Sequence, residues 1–151
     1  MKIILAVDGS PYSKAAVASV AARPWPAGSE IKLLAVTELH LLPQPGSWFV
    51  PDTHYVKLLH EMQTQARTAV EEAEAQLRAA HPTLTITVEI INGYAKQALV
   101  QAAEAWPADL LVVGSHGHNA VTRFLLGSVS LAVASHAPCS VEIVRCPAAM
   151  K

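Results

Sequence analysis

Five short runs rich in Val, Ile and Leu punctuate the chain: KIILAV (2–7), IKLLAVTEL (31–39), LTITVEII (84–91), DLLVVGS (109–115) and CSVEIVR (139–145). Most are nearly continuous rather than alternating, the pattern of strands covered on both faces. Alanine-rich stretches with helical spacing lie between them. Ser10 followed by Pro11 reads as a helix cap and first helical residue, and the run SKAAVASVAAR stops at Pro24. The longest helix is expected over 53–81, closed by Pro82, which disfavours the helical conformation in its predecessor. A third spans 95–105 before Pro107, and a fourth begins near Gly127 and ends before Pro138. This βαβα rhythm predicts an α/β fold, a parallel sheet with helices on both faces. Segment 40–52, with three prolines and the pair Trp48-Phe49, fits no element and reads as a long connection with a lid or partner-contact role.

With 151 residues, 52% of them hydrophobic, the chain fits one domain, residues 1–151, with a sizeable core. Only 15% of residues are charged, the formal net charge is -1, and no Lys/Arg block occurs, so the electrostatic footprint of a nucleic-acid binder is missing. The N-terminal apolar run is broken early by Asp8, too short for a signal-peptide core or a membrane span, so a cytoplasmic protein is expected. Cys139 and Cys146 then read as reduced, small buried hydrophobes rather than a disulfide framework.

The chemistry concentrates in VVGSHGHNAVTRFLLGSVS (112–130). In an open parallel sheet, ligands bind beyond the carboxyl ends of the strands, so the loops to watch are 8–11, 38–52, 92–95 and 115–126. Gly114 and Gly117 let the backbone bend and approach a ligand without a Cβ in the way. Gly127 opens the fourth helix, whose first N–H groups favour anions, and Ser128 and Ser130 add hydroxyls. Such a site suits phosphates, although turn and cap geometry alone also accounts for three glycines. It is neither a P-loop nor G-x-G-x-x-G.

Gly114-x-x-Gly117, nine intervening residues, then Gly127-Ser128 resembles the nucleotide-binding signature of the universal stress protein family, and LAVDGS near the start and HAPCSVEIVR at the end are similar to that family too. The resemblance covers essentially the whole chain. It implies a Rossmann-like five-stranded parallel sheet, a homodimer through the C-terminal strand, and ATP or another adenine nucleotide as ligand. Carried over residue by residue, the phosphates and ribose would meet Val113, Gly114, Ser115, His116, Gly117, His118, Asn119 and Ala120, and then Gly127, Ser128, Val129 and Ser130. Adenine would lie near Ala6, Asp8 and Val36, with Asp8 also able to hold the ribose or a metal ion. Two positions depart from the family pattern: Ser140 stands where proline is common, and Glu142 where an apolar residue is usual.

Seven histidines raise the question of zinc, but His116-x-His118 has no Cys or carboxylate at matching spacing, so a dedicated metal site is not expected. Magnesium or manganese would come with the nucleotide, held by phosphate oxygens and water. Turnover needs a positioned base and charge neutralisation. Asp8, Glu38, His40 and the signature histidines are the candidates, Asp109 lies at the wrong end of its strand, and Arg123 either approaches the phosphates or forms an ordinary ion pair. Binding is therefore favoured over catalysis. The expected protein is a dimeric ATP-binding regulatory or stress-protective module with an unidentified protein partner; the alternatives are an interaction protein of the same fold without nucleotide, and a weak ATPase or phosphotransferase.

Overall fold

The computed structural model describes residues 1–38, 53–117 and 126–146. Segment 40–52, His118, Asn119, Ala120 and Arg123 lie outside the described residues. The elements follow the expected order: β1 (Lys2–Ala6), α1 (Pro11–Ala21), β2 (Glu30–Thr37), α2 (Thr53–Ala80), β3 (Thr85–Asn92), α3 (Ala95–Ala105), β4 (Leu110–Gly114), α4 (Ser128–His136) and β5 (Ser140–Val144). All four strand pairings are parallel, and the order across the sheet is β3-β2-β1-β4-β5.

Continuous apolar runs produce strands buried on both faces. Ile3, Leu5, Val7, Ile31, Leu33 and Ala35 point to one face, where Val17 and Val20 of α1 and Val70, Ala73 and Leu77 of α2 cover them. Ile4, Leu34, Leu111 and Val113 point to the other, against Leu99 and Ala103 of α3 and Val133 of α4. The buried positions of α2, Ala66, Ala69, Val70, Ala73 and Leu77, recur at helical spacing, which is what seats so long a helix on the sheet. The two edge strands depart from full burial: Val88 and Ile90 of β3 are exposed, and no residue of β5 is fully buried. Among the described residues no helix is long and apolar enough to cross a membrane. No disulfide joins Cys139 and Cys146, and both are half-buried rather than buried as expected, because they flank edge strand β5.

Candidate nucleotide-binding site

Strand order sets where the candidate residues meet. β1 and β4 are neighbours in the middle of the sheet, and the chain runs outward from β1 to β2 and β3 on one side and from β4 to β5 on the other. The carboxyl ends of β1 and β4 therefore flank the switch point, which is where ligands bind in open sheets of this kind.

The turn after β1 is locked by its own polar groups. Ser10 caps α1, its Oγ accepting from the Ser13 N–H at 3.2 Å, with Pro11 pre-set for the first turn. The Ser10 N–H donates to Asp8 Oδ1 at 2.9 Å and the Asp8 N–H to Ser13 Oγ at 3.2 Å. The Ser10 bond holds one oxygen of the Asp8 carboxylate at the strand end, and the Ser13 bond holds the Asp8 backbone. Gly117 lies against that carboxylate: an added Cβ would stand 3.0 Å from Asp8 Oδ2.

The start of α4 is pinned to the end of β4. The Ser115 carbonyl accepts from the Gly127 N–H at 2.8 Å and from Ser130 Oγ at 3.0 Å, while the Ser115 N–H donates to the Val144 carbonyl at 2.8 Å. Ser115 and Ser130 are both buried, so the Ser130 hydroxyl serves the fold, whereas Ser128 is exposed. The helix cap is Gly127, which brings no side chain to cover the amides that follow it.

The three signature glycines thus differ. A Cβ at Gly114 would stand 2.8 Å from the backbone carbonyl carbon of Tyr12, and one at Gly127 would stand 3.1 Å from the Ser115 carbonyl oxygen and 3.2 Å from His116 Cα. Backbone leaves no room for a Cβ at Gly114, while at Gly127 the neighbouring backbone would have to give by a few tenths of an ångström. Gly117 meets only the end of the Asp8 side chain.

His116 turns inward. Its Nδ1 lies 3.1 Å from Ser115 Oγ and its ring stacks at a tilt on Tyr12, centroids 4.9 Å apart, while its Nε2 is buried with no partner among the described residues. Ala6, Val36 and Val129 are half-buried against the core of the α3/α4 face, beside the buried Val113. The structure therefore brings Gly117 against Asp8 and His116 against Tyr12, while Ala6, Val36 and Val129 join the α3/α4 core. Tyr12 and Ser13 are neighbours that the sequence reading did not include. Ser13 carried a signal, three residues beyond a serine cap; Tyr12 carried none.

Other candidates have structural duties or stand apart. Glu38 Oε1 accepts from the Ala95 N–H, capping α3, whose own cap residue Tyr94 makes no side-chain cap bond. Asp109 accepts from the Lys2 N–H at 2.6 Å, at the amino end of the sheet. Among the described residues no three His, Cys, Asp or Glu side chains come together as a metal site would need.

Residues 1–145 match the universal stress protein family. The chain belongs to that family. A universal stress protein of Thermus aquaticus is 30% identical over 143 residues, spanning 95% of this chain and 97% of the relative. Two solved structures share the fold: a universal stress protein in complex with cAMP (TM-score 0.63, 25% identity, 97% of this chain and 98% of the other) and a family member from Arabidopsis thaliana with AMP bound (TM-score 0.72, 18% identity, 99% and 94%). The expected single α/β domain with five parallel strands is the fold this family shares.

Proposed function

We propose that this universal stress protein binds an adenine nucleotide, ATP foremost, across the carboxyl ends of β1 and β4, and acts as a dimeric, cytoplasmic, nucleotide-responsive regulatory or stress-protective module. The observation that carries the reading is Gly117. It is the signature glycine whose added Cβ would meet no backbone atom, only the Asp8 carboxylate, and α4 starts on a glycine with no side-chain cap. That adenine nucleotides occupy two relatives of the same fold supports it.

In this reading the amides of Ser128, Val129 and Ser130 and the exposed Ser128 hydroxyl receive phosphate oxygens, helped by the helix dipole. Gly114 through Ala120 would continue the phosphate and ribose contacts. Asp8 takes the ribose hydroxyls, and adenine rests on Ala6 and Val36, with the Val36 backbone offering hydrogen bonds. One carboxylate suits a magnesium or manganese ion delivered by the nucleotide, not a resident metal. The homodimer pairs through edge strand β5, whose outer side has no described strand.

Calorimetric titration of nucleotide-free protein with ATP, with and without magnesium, tests this. Micromolar binding is expected, abolished in Gly117→Val with its circular dichroism unchanged. Wild type that takes up neither ATP, ADP, AMP nor cAMP would overturn the reading in favour of an interaction protein of the same fold.

A further inference from the structure

β5 presents an edge whose alternation is broken by one charge. Val141 and Ile143 face the α3/α4 core and Val144 packs against the core on the α1 side. Glu142 points the same way as Val144 and is met by Arg23, just beyond the end of α1. Nη1 donates to Oε2 and Nη2 to Oε1, so both carboxylate oxygens are held by one planar fork, and Nη2 also donates to Ser19 Oγ at 2.6 Å. The Glu142 side chain is 27% exposed and that of Arg23 is 38% exposed.

Glu142 is the middle residue of Ser140–Val144. When a strand pairs antiparallel with its own copy about its centre, the middle residue meets itself, with Cβ atoms about 4.5–5.5 Å apart, and like charges placed so are destabilising. A different chain could bring its own cation to such a carboxylate; a second copy sets another carboxylate directly opposite it. Neutralisation must then come from within each subunit, and the fork of Arg23 supplies it.

We propose that the Arg23–Glu142 pair is the charge-neutralising centre of a self-complementary interface, with a second copy of this chain seated on β5. This rests on the homodimer reading above. The two forks would meet across the two-fold axis as an alternating network of two arginines and two glutamates. Removing Arg23 leaves two bare carboxylates face to face; removing the charge of Glu142 as well relieves them.

Sedimentation velocity over a dilution series of wild type, Arg23→Met, Glu142→Gln and the double variant tests this, with urea unfolding of dilute protein as a fold check. Wild type is expected to dimerise, Arg23→Met to raise the dimer dissociation constant at least about tenfold, and the double variant to return within about threefold of wild type. A dissociation constant unchanged in Arg23→Met, with only the monomer's unfolding midpoint lowered, would make the pair a tether of α1 to β5 and overturn the proposal while the dimer stands. Tighter association on removing Glu142 would also overturn it, because the charge would then be guarding the edge against pairing. Wild type that stays monomeric removes the homodimer itself, and is read from that protein alone.

Discussion

Adding one methyl group at Gly114 should cost far more stability than adding it at Gly117. At Gly114 the new Cβ would stand 2.8 Å from the Tyr12 carbonyl carbon, 2.9 Å from its oxygen and 3.0 Å from the Ser13 nitrogen. Carbon atoms rest about 3.5–4.0 Å apart, so the methyl is short of room by roughly 0.7 Å. Every obstructing atom is backbone in the first turn of α1, held by the Ser10 cap and the Asp8–Ser13 bond, and none can rotate away. Helix α1 must lift from β4 and loosen the contacts of Ala16, Val17 and Val20 in the core. Overpacking of this kind costs about 1–3 kcal/mol, and the backbone obstruction places Gly114→Ala at the upper end. For a chain of this length that lowers the melting temperature by about 4–12 °C. At Gly117 the methyl meets only Asp8 Oδ2, at 3.0 Å, and its φ is not positive, so Ala should change stability by less than about 1 kcal/mol. Urea unfolding at one fixed protein concentration, without nucleotide, measures both. A Gly114→Ala protein as stable as wild type would refute the seating of α1 on β4, and an equal loss in both variants would refute the distinction between a packing glycine and an open one.

Two further outcomes follow from local geometry. Ser130→Ala removes one of two hydrogen bonds to the Ser115 carbonyl but leaves the Gly127 N–H in place, so a loss of about 1 kcal/mol in urea unfolding is expected, and no loss would mean that the hydroxyl does not fasten α4 to β4. Burial first, and the nearby Asp109 carboxylate second, push the Cys139 thiol above its ordinary pKa. The folded protein thus favours the protonated thiol, so its stabilising contribution holds below the ordinary thiol pKa and fades as pH rises through the raised value. The stability difference between wild type and Cys139→Ser should therefore shrink in urea series run from about pH 8 to pH 10, and a difference that grows would contradict the direction of the shift.

The order and kind of the elements were legible because they rest on local properties. Apolar runs of six to nine residues marked the strands, prolines at 24, 82, 107 and 138 marked where helices had to stop, and Ser10-Pro11 marked where one had to start. Helix α3 lies over the expected 95–105, and the strand bounds differ from expectation by one or two residues, since a strand ends where pairing stops rather than where apolar residues do. The glycine signature pointed to the loop that leaves β4, but spacing along the chain cannot say what a missing Cβ makes room for. That depends on atoms distant in sequence: α1 over Gly114, the Ser115 carbonyl beside Gly127, the Asp8 carboxylate beside Gly117. The polarity of Glu142 was visible, but its partner Arg23, 119 residues away, was not. The sequence by itself determined which segments are strands and helices, because periodicity, prolines and caps act over a few residues. Only the tertiary structure decided that β1 lies beside β4, which glycines serve packing and which stays open, and how the charge on the edge strand is balanced, because each depends on contacts the chain makes after it has closed on itself.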